Sequence, residues 1–193
     1  MRKLRPGDRA PSFKLDSTSG GEVRLDAFRG KKLVLYFYPK DHTPGCTREA
    51  CGFRDNITRL RRAGVEVLGV SRDSLDSHAR FRDAYHLPFN LLSDPDHRVA
   101  SAYGAYGEKT MYGRTVVGTI RSTFLIDEKG AIEAVWSPVR VDGHAEQVLA
   151  ALAAPAGAAT PSAGPSPRRT GETKKKTVAK APRKAKQVKK SHK

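Results

Sequence analysis

The longest uninterrupted apolar stretch in the chain is Leu33-Val34-Leu35-Tyr36-Phe37-Tyr38, stopped by Pro39. A β-prone run without polar alternation suits a strand buried on both faces, in the middle of a partly parallel sheet. Residues 39–45 read as a loop, punctuated by Thr43-Pro44-Gly45. From Cys46 the period changes. Cys46, Ala50, Phe53, Ile57 and Leu60 recur at helical steps and predict one helix that Gly64 ends. A second strand is predicted at Val65 to Val70, then a helix from Ser74 to Tyr85 with Ser74 as its N-cap, broken by Pro88. Asn90 to Leu92 predicts a short strand and Pro95 to Tyr103 a short helix. Ser122 to Ile126 and Ala131 to Trp136 predict strands joined by a turn at Asp127-Glu128-Lys129-Gly130. Gly143 to Ala154 predicts a last amphipathic helix, with Ala145, Val148, Leu149 and Leu152 on its apolar side. Strands alternating with helices, then a hairpin and a helix, predict an α/β fold around a mixed central sheet.

Charge divides the chain in two. The 193 residues carry 36 Lys plus Arg against 20 Asp plus Glu, a formal charge of +16. Residues 1–153 hold 24 basic and 19 acidic side chains, whereas residues 154–193 hold 12 basic ones and a single acid, Glu172. The whole protein is therefore not a uniformly basic nucleic-acid binder. Residues 1–153 are enough for one domain with a proper core. Residues 154–193 contain no Leu, Ile, Met, Phe, Tyr or Trp. Such a segment cannot offset its ordering entropy and is expected to be disordered. It divides into a linker, Pro155 to Pro167, and a basic tail, Arg168 to Lys193.

Two cysteines are too few for a disulfide framework or an all-Cys zinc site. His78, His86, His97 and His144 have no metal-ligand spacing, so no metal is expected. Met1 to Gly21 lacks an apolar signal core, and Leu33 to Tyr38 is far too short to span a bilayer. These readings predict a cytoplasmic protein with no membrane span. In a reducing compartment, two close cysteines point to redox chemistry more than to a structural crosslink.

Cys46 falls where loop meets helix. Unpaired N–H groups and the partial positive charge of a helix N-terminus favour a thiolate there. The position alone fits a reactive thiol and a buried small hydrophobe equally well. Five residues of helix turn Cys51 by about 140° from Cys46 and leave the two Cα atoms about 8–9 Å apart, beyond disulfide range. Cys46 lies on the apolar stripe, while Cys51 faces the polar side with Asp55, Thr58 and Arg62. A Cys46–Cys51 disulfide would require the helix to unwind, which describes a switch rather than a static crosslink. Asp41 and His42 invite a Cys–His dyad reading, which the α/β pattern around them disfavours. Thr43 taken alone suits a turn or cap, Arg121 an ordinary solvated arginine, and Trp136 the core.

The segment Pro39-Lys40-Asp41-His42-Thr43-Pro44-Gly45-Cys46 resembles the P-x-x-x-T-x-x-C signature of peroxiredoxins. Cys46-Thr47-Arg48-Glu49-Ala50-Cys51 is similar to the bacterioferritin comigratory protein, or peroxiredoxin Q, subgroup. So are Tyr106 to Met111 and Arg121-Ser122-Thr123-Phe124-Leu125-Ile126-Asp127. The resemblance spans about residues 4–153. It implies a thioredoxin-like fold and thiol-dependent reduction of hydrogen peroxide and organic hydroperoxides, without a cofactor. It implies that Cys46 is the peroxidatic nucleophile and Cys51 the resolving thiol. It further implies that Thr43 orients the peroxide, Arg121 supplies the cation, Pro39 shields the thiolate and Glu49 holds the arginine. The implied partners are a peroxide and thioredoxin or a similar dithiol. Members of the subgroup are often monomeric, and a monomer is expected.

The tail resembles linker-histone tails in composition alone. Lys174, Lys175, Lys176, Lys180, Arg183, Lys184, Lys186, Lys189 and Lys190 are its candidate phosphate contacts. Such charges bind polyanions without sequence preference, and no aromatics are present to select single strands. RNA, an anionic membrane surface or an acidic protein would attract the same charges. The favoured expectation is a peroxidase tethered to DNA and associated with the nucleoid. The competing one is a nucleoid-associated binding protein whose thiol domain senses redox state.

Overall fold

The computed structural model describes residues 3–111 and 113–153. The expectations for the 154–193 tail lie outside the described residues. Among the described residues, nine strands and five α-helices are ordered β1 (Lys14–Ser17), β2 (Glu22–Arg24), β3 (Lys32–Phe37), α1 (Pro44–Asp55), α2 (Ile57–Arg62), β4 (Val65–Ser71), α3 (Leu75–Ala84), β5 (Asn90–Ser93), α4 (Arg98–Ala102), β6 (Tyr106–Met111), β7 (Arg114–Thr119), β8 (Ser122–Ile126), β9 (Ile132–Trp136) and α5 (His144–Ala153). Seven strands form one mixed sheet in the order β2-β1-β5-β4-β3-β8-β9. Strands β3, β4 and β5 run parallel, while β8 and β9 continue the sheet antiparallel on one side.

The continuous apolar run becomes β3, flanked by β4 and β8. Its side chains alternate between two cores. Val34, Tyr36 and Tyr38 pack with Cys46, Ala50, Phe53, Phe81 and Val148 on the side of α1, α3 and α5. Leu33, Leu35 and Phe37 pack with Phe13, Val99, Tyr103 and Phe124 on the other. A strand with a helical layer above and a second core below must be apolar at every position. Gly69 is required beside it. A Cβ at that position would lie 2.7 Å from the ring carbon and hydroxyl of Tyr36.

Several expectations need correction. The helix expected from Cys46 to Gly64 is two helices, because the chain breaks at Asn56 (φ −101°, ψ 4°). The Asn56 amide donates to the Gly52 carbonyl at 3.0 Å and to Glu146 of α5 at 3.2 Å, so the side chain supports the break. Apolar periodicity continued across it because α2 buries Leu60 in the same core as α1. The short helix is confined to Arg98–Ala102, since the Pro95–His97 stretch forms the turn that enters it and His97 is left-handed (φ 53°). The last helix begins one residue late, at His144, after Gly143 at φ 72°. Strands β1 and β2 and the separate β6–β7 ribbon were not anticipated. Ser74 caps α3 as expected, accepting the Ser77 N–H. Among the described residues, no helix is long and apolar enough to cross a membrane.

Candidate active site

Helix α1 starts at Pro44, which has no N–H to leave unpaired and fits the first helical turn. This places Cys46 at the third helical position rather than the first. Thr43 is the N-cap residue in extended conformation, and its carbonyl accepts the Thr47 N–H at 2.9 Å. The Thr43 hydroxyl donates to the Lys40 carbonyl at 3.0 Å, which closes the loop and leaves its oxygen lone pairs available. Cys46 is 1 % exposed, and Cys51 is half-buried five residues further along the same helix. Both are free thiols.

Arg121 reaches the site from the turn before β8. Its Nη2 lies 3.2 Å from the Cys46 Sγ, and its Nη1 donates to Glu49 Oε2. Its backbone carbonyl accepts the Val139 N–H at 2.9 Å, which ties the chain at the arginine to the segment after β9. One guanidinium therefore faces two acids one helical turn apart on α1. Glu49 is fully buried in its side chain. Burial pushes its carboxyl up to about 7 against the opposing pull of Arg121. For Arg121, burial works against the cation, but the charges of Glu49 and Cys46 outweigh it and raise its pKa. Gly45 leaves room for this arrangement, since a Cβ there would sit 3.3 Å from Arg121 Nη2. Pro39 lines a surface cleft together with Arg121, Ile120 and Pro138.

Cys46, Thr43, Arg121, Glu49 and Pro39 are thus gathered around the start of α1. The Cys–His dyad is not formed. His42 is left-handed (φ 57°), and its ring packs 5.1 Å from Phe81 and 6.2 Å from Tyr85. Asp41 turns to α3 instead. Its carboxylate accepts His78 Nδ1, the Ser77 hydroxyl and the Tyr38 hydroxyl, each at 2.8 Å. Burial alone would raise the Asp41 pKa, but these bonds, led by His78, hold it below the ordinary value. The Asp41 N–H donates to Asp73 at 2.9 Å. This buried network, which sequence reasoning missed, pins the loop that carries Thr43 to α3. A polar residue in the loop was visible in the sequence, but nothing local pointed to a partner on α3. Trp136 is a core residue, as expected, packed against His144. No group of His, Cys, Asp or Glu among the described residues is arranged to hold a metal.

A thiol at a helix start, held against a partly buried arginine on a mixed sheet with helices on its faces, defines the class: a thiol-based peroxidase on a thioredoxin-like scaffold. Comparison with known proteins agrees. Residues 6–135 match the AhpC/TSA family. Peroxiredoxin Bcp of Escherichia coli is 46 % identical over 149 residues, spanning 77 % of this chain and 96 % of that protein. Peroxiredoxin Bcp of Bacillus subtilis is 42 % identical over 146 residues, 76 % of this chain and 93 % of that one. Among solved structures, Xanthomonas campestris peroxiredoxin Q superposes with a TM-score of 0.69 at 44 % identity, covering 73 % of this chain and 89 % of that one. A Xylella fastidiosa PrxQ mutant gives 0.74 at 38 % identity, covering 79 % and 98 %. The chain belongs to the AhpC/TSA family and, within it, to the Bcp/peroxiredoxin Q group. It is a peroxidase that reduces peroxide with a cysteine thiol and is restored by a thiol reductant.

His144, behind α1, yields a pH prediction. Its Nε2 shares a 2.8 Å hydrogen bond with Thr123, and its ring packs on Phe53 and Trp136. Burial, with the nearby Arg121 charge, lowers its pKa from 6.5 to about 4. The unfolded chain therefore binds this proton first as pH falls. Stability contributed by the neutral ring is present above pH 6.5 and is lost as pH drops through 6.5 toward 4. Denaturant titrations of wild type and His144→Gln are expected to diverge across this window, with wild type losing up to about 1.4 kcal/mol more per pH unit. A constant difference from pH 7 to pH 4 would contradict the assignment.

Proposed function

We propose that Cys46 is the thiol that attacks peroxide and that Cys51 resolves the product. The observation that carries this is the 3.2 Å contact between Arg121 Nη2 and the Cys46 sulfur. A fixed cation beside the sulfur favours the thiolate and offers a donor for the charge that develops on the leaving oxygen. Thr43 orients the peroxide through its hydroxyl, joined by the unpaired N–H groups at the start of α1. Pro39 keeps bulk water from the sulfur, and Glu49 holds the arginine in place. The sulfur bonds to one peroxide oxygen, the O–O bond breaks, and the leaving oxygen takes up a proton. Cys46 becomes a sulfenic acid.

Cys51 then displaces hydroxide, which leaves as water, and forms the disulfide. Helix α1 is continuous from Pro44 to Asp55, so this step requires it to unwind between the two cysteines. Thioredoxin or a similar dithiol restores both thiols. Xanthomonas campestris bacterioferritin comigratory protein, 43 % identical to this chain over the part that superposes, has alkyl peroxide reduction activity. That activity supports organic hydroperoxides as substrates here, alongside hydrogen peroxide. We assign residues 1–153 to the catalytic domain, acting as a monomer in the cytoplasm. With a thioredoxin system, Cys46→Ser is expected to abolish peroxide consumption, and Cys51→Ser to lower steady-state turnover at least tenfold. Unchanged turnover in Cys51→Ser would assign resolution to another thiol.

Residues 154–193 form a basic appendage that tethers the enzyme to DNA. The segregation of 12 basic residues against one acidic residue in this segment supports the tether. Mobility-shift assays at physiological salt are expected to retard duplex DNA with the full chain and not with residues 1–153. Equal, negligible shifts for both would refute it.

A further inference from the structure

Glu49 also borders a second opening. A cleft of about 190 Å³ between α1 and the start of α5 is lined by Glu49, Gly52, Arg48, Asp142, His144 and Glu146, among others. Glu49 lines this cleft and is itself buried, 2 % exposed. Its Oε2 is taken by Arg121, but its Oε1 has no hydrogen-bond partner among the described residues. A buried carboxylate oxygen with no donor is costly, and the neutral acid is far less so.

The other groups around it sharpen this. From β3, burial, reinforced by the Glu49 and Cys46 charges, holds the Tyr36 phenol protonated, and its buried hydroxyl also lacks a hydrogen-bond partner among the described residues. From the turn before β8 comes the cation, Arg121. On the cleft side, Arg48 is drawn toward Asp142 at 3.7 Å, while His144 is held neutral. So a single guanidinium must compensate both Glu49 and Cys46. With both ionised the buried site would carry an excess negative charge. With one ionised it is balanced, so ionising Cys46 beside Arg121 favours the protonated form of Glu49.

We propose that Glu49 is a proton-holding partner of Cys46, protonated while Cys46 is a thiolate and ionised once Cys46 is oxidised, with the α1–α5 cleft as its route to solvent. This rests on Cys46 being the reacting thiol. In the reduced enzyme the proton given up by the Cys46 thiol is matched by one on Glu49. The thiolate then bonds to the terminal oxygen of the hydroperoxide, which keeps its hydrogen, and the O–O bond breaks. Sulfur is oxidised by two electrons and the peroxide bond is reduced. The departing alkoxide or hydroxide takes a proton from water. Cys46 is now a neutral sulfenic acid, Arg121 has one acid left to compensate, and Glu49 releases its proton through the cleft. Thiol plus hydroperoxide gives sulfenic acid plus alcohol, and the protons balance. The burial that lifts the Glu49 carboxyl to about 7 puts this exchange at neutral pH.

Two measurements test this. Infrared difference spectroscopy on the full chain, before and after one equivalent of hydrogen peroxide at pH 7, should show a protonated-carboxyl band in the reduced enzyme that disappears on oxidation. The band should be missing in Glu49→Gln. In Cys46→Ser, which leaves the arginine to Glu49 alone, the band should titrate away at least one pH unit lower than in the wild type. The same titration midpoint in both proteins would overturn the proposal even if Glu49→Gln folds poorly. In rapid mixing with peroxide, the pH profile of the wild-type oxidation rate should carry a Glu49 ionisation near neutral pH that Glu49→Gln lacks. A Glu49→Gln profile of unchanged shape, merely scaled down, would assign Glu49 a holding role only and overturn the proton exchange. Loss of peroxide turnover in Cys46→Ser separately tests the thiol on which the proposal depends.

Discussion

One guanidinium shared between a sulfur and a carboxylate is the interaction around which this molecule is arranged. Arg121 touches Cys46 with one nitrogen and Glu49 with another, and the two acids stand one turn apart on α1. The geometry demands a rigid helix start, a rigid arginine and no competing water. The fold supplies each. Proline opens α1, Gly45 leaves room for the guanidinium, and the Arg121 backbone is tied to Val139. Glu49 and Cys46 are both buried, so whichever of them is ionised attracts Arg121 without the dilution by solvent it would meet on the surface.

In the proposed cycle the same arrangement sets a conflict between peroxide capture at Cys46 and resolution by Cys51. Capturing peroxide needs α1 wound, because the helix start and Arg121 act together on the sulfur. Forming a disulfide with Cys51 needs it unwound. The structure provides limits for such a change. Upstream, Asp41 is bound to Ser77, His78 and Tyr38, which anchors the loop before the helix. Downstream, Asn56 already interrupts the helix and is bound to Glu146 of α5. Between them lies the segment holding both cysteines, and unwinding it lifts Cys46 and Ala50 from the core they share with Val34, Tyr36 and Tyr38.

Much of the scaffold was readable from the chain, because the signals are local. The unbroken apolar run of β3, the Ser74 cap of α3 and the turn between β8 and β9 each depend on neighbours in sequence. What escaped notice has weak or distant signals. Strand β1 is short and alternates an exposed with a buried residue, and the β6–β7 ribbon exposes Val116 and Val117 rather than burying a face. The break at Asn56 was hidden because the apolar period runs straight through it. In the site, Cys46 could be suspected from its position, but Arg121 could not: it stands 75 residues away and looks like any solvated arginine until the fold brings it in. Family resemblance supplied it. The Asp41–His78 pair, 37 residues apart, had no such help.

The central claim is that the arginine-paired Cys46 is where peroxide is captured. The most direct measurement is mass spectrometry of Cys51→Ser after a substoichiometric pulse of hydrogen peroxide in the presence of a sulfenic-acid-trapping dione. With no resolving thiol, the sulfenic acid should persist and the adduct should map to the peptide containing Cys46, at a yield matching the peroxide added. An Arg121→Gln change in the same background should lower the labelling rate by at least tenfold. Absence of a Cys46 adduct while peroxide is still consumed, or labelling that proceeds equally fast without Arg121, would contradict the account.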